Sequence, residues 1–137
     1  MIKKLLCATD GTDHSRTGLI VAAELAQKYG ANLTICVINV AHGGARGVLI
    51  SHWTDDEVKK IIDAAVVIAE ANGVKSPNTV VLASREAPAG IVSYAEQNEY
   101  DHIVVGTGDK RGISRLVLGS VAAEVAARAH CSVTVAR

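Results

Sequence analysis

The chain has 137 residues, enough for one domain with a real core and too few for two. Apolar residues make up 49% and charged residues 20%, with Lys plus Arg and Asp plus Glu equal at 14 each. This excludes a disordered chain and gives no net field that would favour nucleic acid or an anionic membrane. Aromatic residues are 3% with no phenylalanine, so a base-stacking platform is not expected either.

No apolar run approaches the roughly 18 residues of a membrane span, and Leu5 to Ala8 is too short for a secretory signal. Cys7, Cys36 and Cys131 each sit in or beside an apolar run. They read as free thiols of a protein in a reducing, cytoplasmic setting.

Taken in order, Lys3 to Thr9 carries Leu5-Leu6-Cys7-Ala8, a block suited to a strand covered on both faces. It hands over at Asp10-Gly11 to a helix that Thr12 or Asp13 can cap. Leu19, Ala22, Ala23 and Ala26 recur at helical spacing, and Gly30 stops the helix. Leu33 to Val40 is the second strand pattern. Residues 41 to 53, rich in glycine and holding His42 and His52, are expected to form a mobile loop with solvated histidines rather than a metal site.

Thr54-Asp55-Asp56-Glu57 is a capping box. Val58, Ile61, Ile62, Ala65 and Ala69 form the apolar face of the helix that follows. Thr79 to Ala83 is a third strand, and Pro88 opens a helix whose inner face is Ile91, Tyr94 and Ala95. Asp101 to Val105 is a fourth strand leading into a glycine-rich stretch. Ser120 is expected to cap a last helix with Val121, Val125 and Ala129 inward, and Ser132 to Ala136 is a fifth strand.

Alternating strands and helices predict an α/β domain, residues 1–137, with a single open parallel sheet, helices on both faces and right-handed crossovers. Turns at the carboxyl ends of such a sheet bind ligands where the strand order reverses. Asp10, the 41–53 connection and the loop 106–120 thereby join in one candidate site. Gly106, Gly108 and Gly112 fit neither a Walker loop nor the dinucleotide fingerprint. They serve either a phosphate, by presenting bare backbone, or the close approach of helix and sheet. No nucleophile, paired acid and base, or metal cluster stands out, so no catalytic residue is assigned.

Several stretches are more specific. Ala8-Thr9-Asp10-Gly11-Thr12 with Ser15, Gly30-Ala31-Asn32-Leu33-Thr34, Gly106 with Gly119-Ser120-Val121, and Cys131-Ser132-Val133-Thr134-Val135 together resemble the universal stress protein family along the whole chain. The resemblance implies a five-stranded sheet of order 3-2-1-4-5 and an adenine nucleotide, ATP with Mg2+, across the strand ends. Its nucleotide-binding positions fall on Thr9, Asp10, Gly11, Ile38, Gly106, Gly108, Asp109, Lys110, Arg111, Gly119, Ser120 and Val121.

The resemblance also implies a homodimer through Ser132, Val133, Thr134, Val135 and Ala136, and a cytoplasmic stress-response regulator with at most slow ATP hydrolysis. Two departures bear on it. Asp109 stands where the family pattern G-x2-G-x9-G-Ser/Thr has its second glycine, and Glu86-Ala87-Pro88 lacks the glycine that usually opens the third helix. The carboxylate of Asp109 would repel phosphate, while Lys110, Arg111 and Arg115 offset it and Gly108 offers an alternative close approach. The alternative reading is a member that binds no nucleotide and acts through protein contacts.

Overall fold

The computed structural model describes residues 1–43, 47–108 and 118–137. At its centre is β1 (Lys4–Ala8), flanked by β2 (Asn32–Gly43) and β5 (His102–Gly106), both parallel to it. Beyond β2 lies β4 (Asn78–Ser84), and beyond β5 lies β6 (Ser132–Ala136), again parallel. The five parallel strands therefore run β4-β2-β1-β5-β6, which is the expected order counted over those five. The chain builds outward from β1 through β2 to β4, then crosses back to β5. The order reverses beside β1, and a crevice opens at the carboxyl ends there.

Strand pleating sorts the central block onto two faces. Leu5 and Cys7 pack with Leu19, Ala22 and Ala26 of α1 (Asp13–Tyr29) and with Ala65 and Ala69 of α2 (Asp55–Ala71). Leu6 packs on the other face with Ile91, Val92 and Ala95 of α3 (Ala87–Gln97) and with Ala122 and Val125 of α4 (Ser120–Arg128). Leu5, Leu6 and Cys7 are fully buried, which explains why β1 reads as a continuous apolar run rather than an alternation. Cys7, Cys36 and Cys131 are free thiols, and burial pushes the Cys36 thiol up to about 12.

The helix boundaries follow local chemistry. The Thr12 hydroxyl accepts from the Ser15 N–H at 3.4 Å at the start of α1. Thr54 and Glu57 close the expected capping box on α2, an arrangement whose Thr is typically worth about 1 kcal/mol. Pro88 sits in the first turn of α3.

Three expectations need correction. The 41–53 connection is partly strand: β2 continues to Gly43 and folds back on β3 (Leu49–Ser51), antiparallel, with His42 opposite Ile50. The Asn39 side chain fixes the base of this hairpin, donating to the Trp53 carbonyl and accepting from the Trp53 N–H, each at 3.0 Å. A sixth strand of three exposed residues has no period to detect. Ser120 does not cap α4; Gly119 occupies the cap position without a side-chain bond and Ser120 is the first helical residue. Val121 is 39% exposed, and Ala122 takes the inward place assigned to it.

Candidate functional site

The site begins where β1 runs out. The Thr9 N–H still bonds the Cys36 carbonyl at 2.9 Å, so Thr9 keeps strand register. Its buried hydroxyl lies 3.0 Å from that of Ser15, locking the strand end to the first turn of α1. Gly11 makes the turn at φ 82°, a region that costs an L side chain strain, and the place of its missing Cβ lies 3.4 Å from Ile61.

Asp10 is left exposed on this turn, its carboxylate accepting from the Thr12 N–H at 3.0 Å and from the Thr12 hydroxyl. Partial burial works to raise its pKa. The bonds from the Thr12 side chain and backbone, helped by Ser15 and His14, outweigh it and hold the carboxyl below its ordinary value. A group depressed in this way stabilises the fold above its unfolded pKa of about 3.9 and loses that contribution as pH falls through the folded value. The stability difference between wild type and Asp10→Asn should therefore be present at neutral pH and shrink below about pH 4, read by urea denaturation across that range. An unchanged difference would refute the assignment.

Opposite Asp10 stands Gly106 at the end of β5. A Cβ there would lie 2.0 Å from the His14 carbonyl oxygen, so the strand end and α1 touch through backbone. Gly18 completes the contact from the helix side, its own missing Cβ 2.9 Å from the Gly106 nitrogen. The close-approach reading of the glycines thus holds at Gly106. Nothing described lies within 4 Å of a Cβ on Gly108.

Thr107, buried at 4% exposure, ties the site together. Its N–H donates to the Ala136 carbonyl at 3.0 Å, and its hydroxyl accepts from the Gly119 N–H at 2.9 Å. The second bond brings the two ends of the glycine-rich stretch side by side and satisfies one free N–H at the start of α4.

Between these elements lies a cleft of about 130 Å³. Thr9 and Asp10 come from the end of β1, His14 and Ser15 from α1, and Ile38 from β2. Ala87 and Ile91 of α3, Val105 and Gly106 of β5, and Val121 of α4 close it. The structure thus brings together Thr9, Asp10, Ile38, Gly106 and Val121 of the expected set. Gly11 lines a neighbouring groove between α1 and α2 with Thr12 and Ile61. Gly108 and Gly119 are not among the described lining residues, although Gly119 is bonded to Thr107 just beyond Gly106, and Ser120 lies exposed in the first turn of α4. Asp109, Lys110 and Arg111 lie outside the described residues.

His14 and Ala87 are lining residues outside the expected set, and Thr107 lies within the expected loop 106–120 without being singled out there. His14 and Thr107 neighbour motif positions without belonging to them, and Ala87 faces the cleft only because of how α3 crosses the sheet. Of the expected dimer strand, Val133, Thr134 and Val135 are half-buried at the sheet edge. The Thr134 hydroxyl lies 2.7 Å from His102 Nε2.

An open, mainly parallel sheet with a mixed polar and apolar cleft at the reversal of strand order places the molecule among the doubly wound α/β domains. Within that class the chain belongs to the Universal stress protein family, whose sequence model matches residues 1–137. A universal stress protein of Methanocaldococcus jannaschii is 35% identical over 146 residues, covering 100% of this chain and 83% of that one. The crystal structure of a universal stress protein in complex with cAMP superposes with a TM-score of 0.80 at 23% identity, covering 99% of this chain and 97% of the other. That of the Archaeoglobus fulgidus protein in complex with dAMP gives a TM-score of 0.68 at 25% identity, covering 100% and 98%.

Proposed function

We propose that this protein is a stress-response regulator that binds an adenine nucleotide, ATP or a close relative, in the cleft at the carboxyl ends of β1, β2 and β5. The observation that carries the reading is the composition of that cleft. Ile38, Ile91, Val105 and Val121 offer an apolar slot for a planar base, while Asp10 stands at the mouth as an acceptor for sugar hydroxyls. Among the described residues nothing lies within 4 Å of a Cβ on Gly108, and its backbone is the candidate to meet phosphate. The dAMP complex of the Archaeoglobus fulgidus relative supports the choice of adenine.

The role is binding rather than turnover. Thr9 and Ser15 are bonded to each other, and Ser15 also donates to the Thr12 carbonyl at 2.9 Å, so neither is a free nucleophile. Magnesium would enter with the triphosphate as its counter-ion. Among the described residues no helix is long and apolar enough to cross a membrane, and a cytoplasmic location fits the buried free thiols.

Calorimetric titration with ATP and magnesium, and with AMP, beside an Asp109→Gly variant, tests the reading. Saturable binding by the wild type supports it. Silence in both proteins refutes it in favour of a role through protein contacts, and binding by the variant alone would name Asp109 as the obstacle.

Dimerisation through β6 belongs to the same reading. Among the described residues the strand pairs only with β5, which leaves one edge for a second copy. Val133→Asp or Val135→Asp should shift the sedimentation profile from dimer to monomer, and an unchanged profile would count against this edge.

A further inference from the structure

Among the described residues, four polar side chains line the cleft: Thr9, Asp10, His14 and Ser15. Three are already engaged. Thr9 and Ser15 bond one another, and Asp10 accepts from Thr12. His14 is half-buried on the cleft wall, and its imidazole has no hydrogen-bond partner among the described residues. Its backbone carbonyl abuts Gly106, where β5 gives way to the glycine-rich stretch. The side chain thus stands on the cleft wall, near enough to Asp10 to act on its carboxylate.

We infer that His14 is a ligand-contacting residue of this cleft, its imidazole N–H donating to the phosphate of a bound nucleotide. The inference rests on the nucleotide-binding reading and adds to it a preference for nucleotides over nucleosides. A hydrogen bond to an ionised phosphate is charge-assisted and stronger than one between neutral groups.

The surroundings isolate the effect. Ile38 from β2, Ala87 and Ile91 from α3, Val105 and Gly106 from β5, and Val121 from α4 bring no titratable group to the cleft. Asp10, from the β1–α1 turn, is the other titratable side chain among the described lining residues. It is held below the ordinary carboxylate range and so stays ionised at neutral pH. Asp109, Lys110, Arg111 and Arg115 lie outside the described residues, and they are common to wild type and variant.

The test titrates AMP and adenosine into the wild-type protein and His14→Ala. The ratio of wild-type to variant affinity for AMP should be on the order of tenfold, and for adenosine it should stay near one. An AMP ratio near one, or an equal change for adenosine, overturns the role of His14 while leaving nucleotide binding intact. Failure of the wild type to bind AMP overturns both. Among the described residues the side chain makes no hydrogen bond, so the thermal midpoint of His14→Ala should stay close to that of wild type. A lowered midpoint with equal losses for both ligands would mark a structural role and refute the proposal.

Discussion

Gly106→Ala should destabilise the protein by about 3 kcal/mol or more, lowering its thermal midpoint by on the order of 10 °C. The cause is a collision of backbone with backbone. The added methyl would sit 2.0 Å from the His14 carbonyl oxygen and 2.7 Å from its carbon, and neither can rotate away as a side-chain tip would. Relief requires α1 to lift from β5. That would disturb Gly18, which meets the same strand one turn further along α1, and the bonded pair Thr9 and Ser15. Gly108→Ala is the matched control. No described atom lies within 4 Å of the new methyl, so stability should change by no more than about 0.5 kcal/mol. Equal stability of the two variants would show that strand and helix are not in contact at Gly106.

Ile91→Ala should cost about 2–5 kcal/mol, the range for removing a large aliphatic side chain from a packed core. Ile91 is 1% exposed and packs among Leu6, Ile38, Ile103 and Val125. The same residue also lines the cleft, so the space left by truncation adjoins the proposed base slot and nucleotide affinity should fall with stability. Val121→Ala separates the two effects. Val121 lines the same cleft but is 39% exposed, so its truncation should leave stability within about 1 kcal/mol while weakening binding. Urea denaturation and titration of both variants read the contrast. A Val121→Ala loss of stability as large as that of Ile91→Ala would contradict this division of roles.

The parts of the fold legible in the sequence are those fixed by local chemistry or by full burial. Gly30 ends α1 in the left-handed conformation with its N–H on the Ala26 carbonyl. Thr54 and Glu57 close α2 on each other, and Leu5-Leu6-Cys7 is apolar because helices cover both faces of β1. Each of these signals lies within a few residues of its consequence.

What the sequence hid was decided by distant partners. β3 is a strand because the end of β2 offers it hydrogen bonds, and Asn39 and Trp53 hold the hairpin base. Its Leu49 and Ile50 are exposed and carry no burial pattern. Ser120 has the right chemistry for a helix cap, yet the cap falls on Gly119, whose N–H goes to Thr107. For the site, the ends of β1 and β5 were readable from Asp10 and Gly106, since a turn and a glycine mark them. His14 and Ala87 enter the cleft through the crossing of α1 and α3 over the sheet, and no spacing in the chain reports that.

The most direct test of the central claim is a two-dimensional amide NMR titration of the isotopically labelled protein with AMP. The account predicts saturable shifts concentrated at Asp10, Ile38, Gly106, Thr107 and Val121, with little change at the opposite ends of the strands around Lys4, Asn32 and Ser132. Shifts confined to those opposite ends or to the β6 edge, or a spectrum unmoved at millimolar AMP, would contradict it.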